Sequence, residues 1–271
     1  RYSYTNTYDQ SGNQLTDVYE YDDNADGTVD SRYSSTNTYD QRGNQLTSIS
    51  ESDNDGDGTI DSRFSSTNTY DQRGNQLTGI SESDENADGT IDSRYSQTYT
   101  YDQGGNLLTR ISESDYDGDG NIDSRDSTTN TYDQRGNLLT NVSVSEPYYD
   151  RGGGFYSRYS STNTYDQSGN LLTGVSEYDK DGDGKIDSRY SSTNTYDQSG
   201  NRLTGVSEYD KDGDGKIDSR YSNTNTYDQS GNQLTGVSES DDNGDGTIDS
   251  RYSNTNTYDQ RGNQLTSVSE S

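Results

Sequence analysis

The chain has 271 residues, with 49 Asp and Glu against 20 Lys and Arg, and therefore a net charge of −29. It contains no Cys, His, Met or Trp, and removing the 26 Tyr from its 22% apolar fraction leaves 33 aliphatic or Phe side chains. Thiol and imidazole chemistry, disulfides and zinc are excluded, and burial of so few apolar groups cannot alone offset an ordering cost of about 1–2 kcal/mol per residue.

Aligned on Ser-Arg-Tyr, the chain divides into nine units that begin at Arg1, Arg32, Arg63, Arg94, Arg125, Arg158, Arg189, Arg220 and Arg251, 31 residues apart except for one interval of 33. A fixed period of this length indicates a repeat architecture stabilised by neighbouring units, here a single array over 1–271. The sequence opens in mid-repeat without Met, which reads as a processed product or part of a longer protein. No stretch approaches the roughly 20 apolar residues of a membrane span, and the acidic balance opposes nucleic acid and anionic membranes.

Within the unit 189–219, the Tyr-, Thr- and Ser-rich run from Arg189 to Tyr196 predicts a strand. Asp197-Gln198-Ser199-Gly200 carries Asp and Gly at the first and fourth positions of a type I turn. A second strand follows from Asn201 to Tyr209, and the acidic loop Asp210 to Asp218 turns the chain into the next unit. The expected fold is all-β, an antiparallel β-hairpin meander forming an elongated array. A parallel β-solenoid that stacks identical Tyr, Asn and Thr is the alternative.

An odd period would exchange the two faces at every unit, so one reversal or bulge per unit must restore parity. Leu203 to Val206 is the expected place, or else the turn. Folding about the acidic loops sets Glu20 opposite Arg32, Glu51 opposite Arg63, Glu82 opposite Arg94, Glu113 opposite Arg125, Glu177 opposite Arg189, Glu208 opposite Arg220 and Glu239 opposite Arg251. Each such exposed pair stabilises by at most about 1 kcal/mol, and serves chiefly to mark register.

Seven of the eight connections fit Asp-x-[Asp/Asn]-x-Asp-Gly-x-[Ile/Val]-Asp. Oxygens at positions 1, 3, 5 and 9, with the backbone carbonyl of position 7, would wrap a hard cation, and Gly at position 6 permits the sharp turn. The candidate ligands are Asp22, Asn24, Asp26, Thr28 and Asp30 in the first loop; Asp53, Asp55, Asp57, Thr59 and Asp61 in the second; Asp84, Asn86, Asp88, Thr90 and Asp92 in the third; and Asp115, Asp117, Asp119, Asn121 and Asp123 in the fourth. The fifth offers Asp179, Asp181, Asp183, Lys185 and Asp187, the sixth Asp210, Asp212, Asp214, Lys216 and Asp218, and the seventh Asp241, Asn243, Asp245, Thr247 and Asp249. Thr28, Thr59, Thr90, Asn121, Lys185, Lys216 and Thr247 enter through their carbonyls. The expected cofactor is Ca²⁺ at about seven sites, which would bring the net charge to about −15. Solvated acidic turns without metal are the alternative, although four carboxylates crowded into nine residues would then repel one another.

The loops resemble those of EF-hands and, more closely, of thrombospondin type 3 repeats. They lack the bidentate Glu at position 12, where Tyr33, Phe64, Tyr95, Asp126, Tyr190, Tyr221 and Tyr252 stand, so affinities from micromolar to millimolar are expected. The irregular connection 144–157 lacks the Asp-Gly loop and places Val144 in the Glu position. It is read either as a tolerated degenerate unit or as a contact surface through Tyr148, Tyr149, Phe155 and Tyr156.

The core Tyr-Asp-x-x-Gly-Asn-x-Leu-Thr begins at Tyr8, Tyr39, Tyr70, Tyr101, Tyr132, Tyr165, Tyr196, Tyr227 and Tyr258. In it, as in TNTYDQRGNQLT from Thr36 to Thr47, the chain resembles the RHS/YD-repeat family over about half of each unit. That resemblance implies an extracellular or cell-surface array of β hairpins. The near-identical units predict a secreted, calcium-stabilised structural protein, the subunit of a self-assembling filament or surface fibre with copies of itself as partners. The alternative is an adhesin stalk or a carbohydrate- or protein-binding module, whose exposed Tyr would stack on surface glycans. No catalytic residues are expected, since every carboxylate cluster recurs with the period.

Overall fold

The computed structural model describes residues 1–146 and 157–271, so the aromatic residues of the irregular connection lie outside the described residues. The described residues fall into two compact units, 1–127 with 145–146, and 128–144 with 157–271. In the first unit, β1 (Tyr2–Tyr8), β2 (Gln14–Tyr21), β3 (Ser31–Tyr39), β4 (Gln45–Asp53), β5 (Ser62–Tyr70), β6 (Gln76–Asp84), β7 (Ser93–Tyr101) and β8 (Leu107–Asp115) follow one another. Each pairs antiparallel with the next.

A hairpin of β9 (Ser124–Tyr132) and β10 (Leu138–Glu146) has its turn in the second unit. That unit continues with β11 (Ser157–Tyr165), β12 (Leu171–Asp179), β13 (Ser188–Tyr196), β14 (Arg202–Asp210), β15 (Ser219–Tyr227), β16 (Gln233–Asp241), β17 (Ser250–Tyr258) and β18 (Gln264–Glu270), again paired consecutively and antiparallel. Sequential antiparallel pairing is the meander. Both reversals of a repeat are tight, which leaves no crossover for a parallel coil.

The parity shift required by the odd period sits at the turn end of each hairpin. Thr195 faces Thr204 but Tyr196 faces Arg202, so Leu203 is the extra residue of a bulge. Ser191 then faces Glu208 and Glu208 faces Arg220. The side chain two strands on is thus 29 positions later, and equivalent residues 31 apart keep the same face with a stagger of two.

The two faces differ in chemistry. Arg189, Ser191, Thr193 and Thr195 share one face with Thr204, Val206 and Glu208, whereas Tyr190, Ser192, Asn194 and Tyr196 share the other with Gly205, Ser207 and Tyr209. On the first face the seven expected Glu–Arg pairs form at 3.4–3.8 Å, and threonines bond across each hairpin, as in Thr195–Thr204 at 2.6 Å. On the second, Tyr190 bonds Ser207 at 3.1 Å.

No apolar side chain among the described residues is buried. The buried polar side chains among the described residues are the first Asp of each acidic loop, together with Asn37, Asn130, Asn194, Asn256, Ser112 and Ser161. Hydrogen bonds must therefore hold the repeats together, and the bulge directs them. The carbonyl of Gln14, opposite Tyr8 beside the bulge, accepts from Asn37 Nδ2 at 3.3 Å and Tyr39 Oη at 3.0 Å of the following hairpin. Asn68 and Tyr70 do the same to Gln45, Asn163 and Tyr165 to Leu138, and Asn225 and Tyr227 to Arg202. In these repeats the Asn and Tyr of Asn-Thr-Tyr satisfy a backbone acceptor of the repeat before, and the fourth repeat carries Tyr99 in place of the Asn.

The Asp-x-x-Gly-Asn part of the motif closes its own turn. Asp197 Oδ1 accepts from the N–H groups of Ser199 at 2.8 Å and Asn201 at 2.9 Å, and Oδ2 accepts from Asn201 Nδ2 at 2.9 Å. Gly200 has φ +87°, the left-handed position after a type I turn. The Asn201 amide, with the turn's backbone N–H groups, holds the Asp197 carboxyl below its ordinary value of 3.8. The same arrangement lowers the carboxyls of Asp9, Asp40, Asp71, Asp102, Asp133, Asp166, Asp228 and Asp259. A depressed folded value means that these turns contribute fully above the unfolded carboxylate value of about 3.9, and lose that contribution as pH falls through the lowered folded value. Carboxyl NMR titration should place the nine turn aspartates below 3.8; values at or above it would refute this account of the turn.

Candidate metal centres

Each acidic loop continues directly from a strand. In six of the seven loops the first aspartate is the last strand residue, as Asp210 is in β14 opposite Arg189, so that strand runs one residue further than the predicted end at Tyr209; β2 ends at Tyr21, before Asp22. The N–H of the ninth residue donates to the carbonyl preceding the first, as in Asp218 to Tyr209 at 2.7 Å, and closes the reversal. The same bond closes the other loops, from Asp30 to Tyr21 through Asp249 to Ser240.

Inside this closure the carboxylates organise the backbone. Asp210 Oδ2 accepts from the sixth residue, Gly215, at 2.9 Å, and Asp218 Oδ2 accepts from the second, Lys211, at 2.6 Å. The bond from position 6 to position 1 recurs for Asp22, Asp53, Asp84, Asp115, Asp179 and Asp241. The bond from position 2 to position 9 recurs for Asp30, Asp61, Asp92, Asp123, Asp187 and Asp249. The third-position oxygens of Asn24, Asp55, Asn86, Asp117, Asp181, Asp212 and Asn243 accept from the fifth-position N–H, and the fifth-position carboxylates accept from the seventh.

These bonds turn the acidic side chains toward one another. Oxygens of Asp115, Asp117 and Asp123 lie within 4.8 Å of one another, as do those of Asp179, Asp181 and Asp187, and of Asp210, Asp212 and Asp218. In the second loop the group is Asp53, Asp55 and Asp57, without Asp61. Among the described residues, the loops with Asn24, Asn86 and Asn243 bring no three carboxylates together in this way. The fifth-position carboxyls of Asp119, Asp183 and Asp214 stand outside the three-membered groups.

Seventh-position groups instead hold that fifth carboxylate. The Thr28 hydroxyl lowers the carboxyl of Asp26, and the Lys185 and Lys216 ammonium groups, each 2.5 Å from its partner, lower those of Asp183 and Asp214. The Thr59, Thr90 and Asn121 backbone N–H groups do so for Asp57, Asp88 and Asp119.

The first carboxylates are 5–8% exposed, and Oδ1 of Asp115 and of Asp241 is buried with no hydrogen-bond partner. A buried anion with an unused lone pair is costly unless a cation completes it. Oxygen-only donors around such an atom fit a hard divalent ion, so the loops can hold a metal ion at several places along the chain. The twelfth-position side chains do not supply a bidentate ligand: Tyr33, Tyr190, Tyr221 and Tyr252 bond Ser50, Ser207, Ser238 and Ser269, and Asp126 accepts from Ser145.

Sequence reasoning did not find two contributors. The sequence marks Asn37 and its equivalents only as strand residues, although the Asn-x-Tyr spacing recurs from repeat to repeat. The fourth loop position reads as a spacer, yet it is Gly in five loops with φ between +69° and +72°, and Ala25 and Ala87 adopt φ of +59° and +51° there. Asn141-Val142-Ser143, an N-glycosylation acceptor tripeptide, lies within β10, where Asn141 Nδ2 donates to Asn130 Oδ1 at 2.7 Å.

No protein-family profile matches the chain, and no curated protein matches it. Among solved structures it is similar to a Photorhabdus luminescens Tc holotoxin pore, with 14% identity and a TM-score of 0.28 over 98% of this chain and 18% of that one. A TcdB2-TccC3 structure without its hypervariable C-terminal region gives 12% identity and a TM-score of 0.20, covering 97% of this chain and 19% of that one. A porin-like protein from Bacteroides uniformis gives 13% and 0.29, covering 88% of this chain and 92% of that one. The chain thus spans less than a fifth of either toxin chain, and likenesses at these scores carry no functional argument, which rests on the chain's own residues.

Proposed function

We propose that the chain is an extracellular, calcium-stabilised structural repeat protein and the subunit of a self-assembling filament or surface fibre. The observation that carries this reading is the recurrence of a buried first aspartate in all seven acidic loops, four of which bring two further carboxylates within 4.8 Å of it. A catalytic centre is normally singular, whereas a periodic cation site reinforces every reversal alike. Calcium matches the all-oxygen donors, and the missing twelfth-position ligand suits the millimolar calcium of an exterior. Cation binding also lowers the self-repulsion of a chain with net charge −29.

Negative-stain electron microscopy of the purified chain in millimolar calcium, and again after chelation, tests the assembly. Filaments that fray or dissolve on chelation are expected. Discrete unassembled particles in calcium would remove self-assembly by this chain and favour the adhesin stalk, a reading that the exposed rings of Tyr178, Tyr209, Tyr221 and Tyr252 support.

A further inference from the structure

The acidic loops touch one another at one recurring point. A Cβ added to Gly56, at the fourth position of the second loop, would fall closer than 3.0 Å to the carbonyl oxygen of Val29, at the eighth position of the first loop. Gly118 stands in the same relation to Ile91, Gly213 to Ile186 and Gly244 to Ile217. In each case the glycine Cα of one loop lies against the backbone oxygen of the loop before it, an approach that no side chain permits. The glycine is flanked by the third and fifth positions of its loop, and the carbonyl by the seventh and ninth positions of the preceding one. The contact therefore joins the ligand-bearing segments of two neighbouring sites.

The third loop differs, since Ala87 occupies the fourth position with φ +51°. Its methyl group stands where the second, fourth, sixth and seventh loops present a bare Cα to the loop before them, so the same approach to the second loop cannot be made. The first two loops, the third with the fourth, and the fifth to seventh are left as coupled sets, each within one compact unit.

We infer that cation binding is cooperative within these sets and interrupted at Ala87. This rests on the calcium reading above, for which the buried, partnerless Oδ1 atoms of Asp115 and Asp241 are the independent sign of a missing cation. An ion that orders the seventh-to-ninth segment of one loop fixes the carbonyl against which the next loop folds. The second ion then meets a segment already ordered, and positive coupling follows without any long-range change of structure. Neutralising one carboxylate cluster also lowers the field at the next.

The test is calcium binding to the chelator-stripped full chain, followed by equilibrium dialysis. The wild type should take up about seven ions with a Hill coefficient above 1. Alanine at Gly56, Gly118, Gly213 and Gly244 together should bring the coefficient to about 1 and weaken half-saturation at least about fivefold. Alanine at Gly58, Gly120, Gly215 and Gly246 is the control. These sixth-position glycines have similar left-handed φ, yet nothing lies within 4 Å of an added Cβ, so affinity should fall while the coefficient stays above 1. Ala87→Gly removes a side chain and should raise the coefficient by joining two sets, which keeps the proposal testable should the alanine variants fail to fold by circular dichroism. A wild-type coefficient of about 1 with calcium bound, or equal loss of steepness in both alanine sets, overturns the coupling and leaves the calcium reading intact. Absence of bound calcium overturns the calcium reading and the coupling with it.

Discussion

In chelator the chain is expected to melt well below its melting temperature in millimolar calcium, and Asp115→Asn is expected to change sign between the two conditions. Asp115 is 5% exposed, and its Oδ1 has no partner. Without a cation this is an uncompensated buried charge, and replacing it with a neutral side chain of the same shape should stabilise the fold. With calcium bound the same change removes a direct ligand. Each site that binds only the folded chain adds about 2.7 kcal/mol at a hundredfold excess over its dissociation constant. Paired thermal melts of wild type and Asp115→Asn, with calcium and with chelator, measure both terms. A shift of the same sign in both conditions would mean that the buried carboxylate is not a cation ligand.

The second large effect is expected at the bulge carbonyl of Gln14, where Asn37 and Tyr39 converge. Tyr39→Phe should cost about 0.5–1.5 kcal/mol, because the asparagine still satisfies the acceptor. Asn37→Ala should cost more, about 1–2 kcal/mol, since it also strands the amide of Gln45, which donates to Asn37 Oδ1 at 2.8 Å. Together they leave the carbonyl without either donor, and the double variant should exceed the sum of the single changes by at least about 0.5 kcal/mol. Urea unfolding of the four proteins gives the coupling directly. Additive losses would show that the two donors do not share one acceptor's fate.

Much of this architecture is legible in the sequence because the repeat supplies its own alignment. The 31-residue period, the hairpin turn at Asp197 to Gly200 and all seven Glu–Arg pairs follow from folding symmetric strings about their centres, and the need for a parity shift follows from an odd number. The spacing narrows that shift to Leu203–Val206 or the turn, and the facing of Thr204 and Arg202 toward Thr195 and Tyr196 assigns it to Leu203. The division into a charged, threonine-lined face and a neutral Tyr and Asn face depends on that bulge, as does the reach of Asn37 and Tyr39 into the preceding hairpin. In the loops, Asp and Gly spacing announces oxygen donors, but the burial of the first carboxylate and the contact at the fourth position arise from the packing of one reversal against the next. A pattern within a single loop carries no trace of that stacking.

The bulge has a consequence for how such a gene can change. Removing or duplicating one whole 31-residue unit restores every register, because each repeat returns the sheet to the same face two residues along. Losing the single codon for Leu203 would only remove the bulge, because Thr204 would still face Thr195 and Arg202 would still face Tyr196, whereas losing the codon of a regularly paired residue such as Val206 would exchange the faces of the strand residues downstream of it. Length is therefore free to vary in steps of a full repeat, while a one-codon deletion in the regularly paired part of a strand is among the most disruptive lesions the array can suffer.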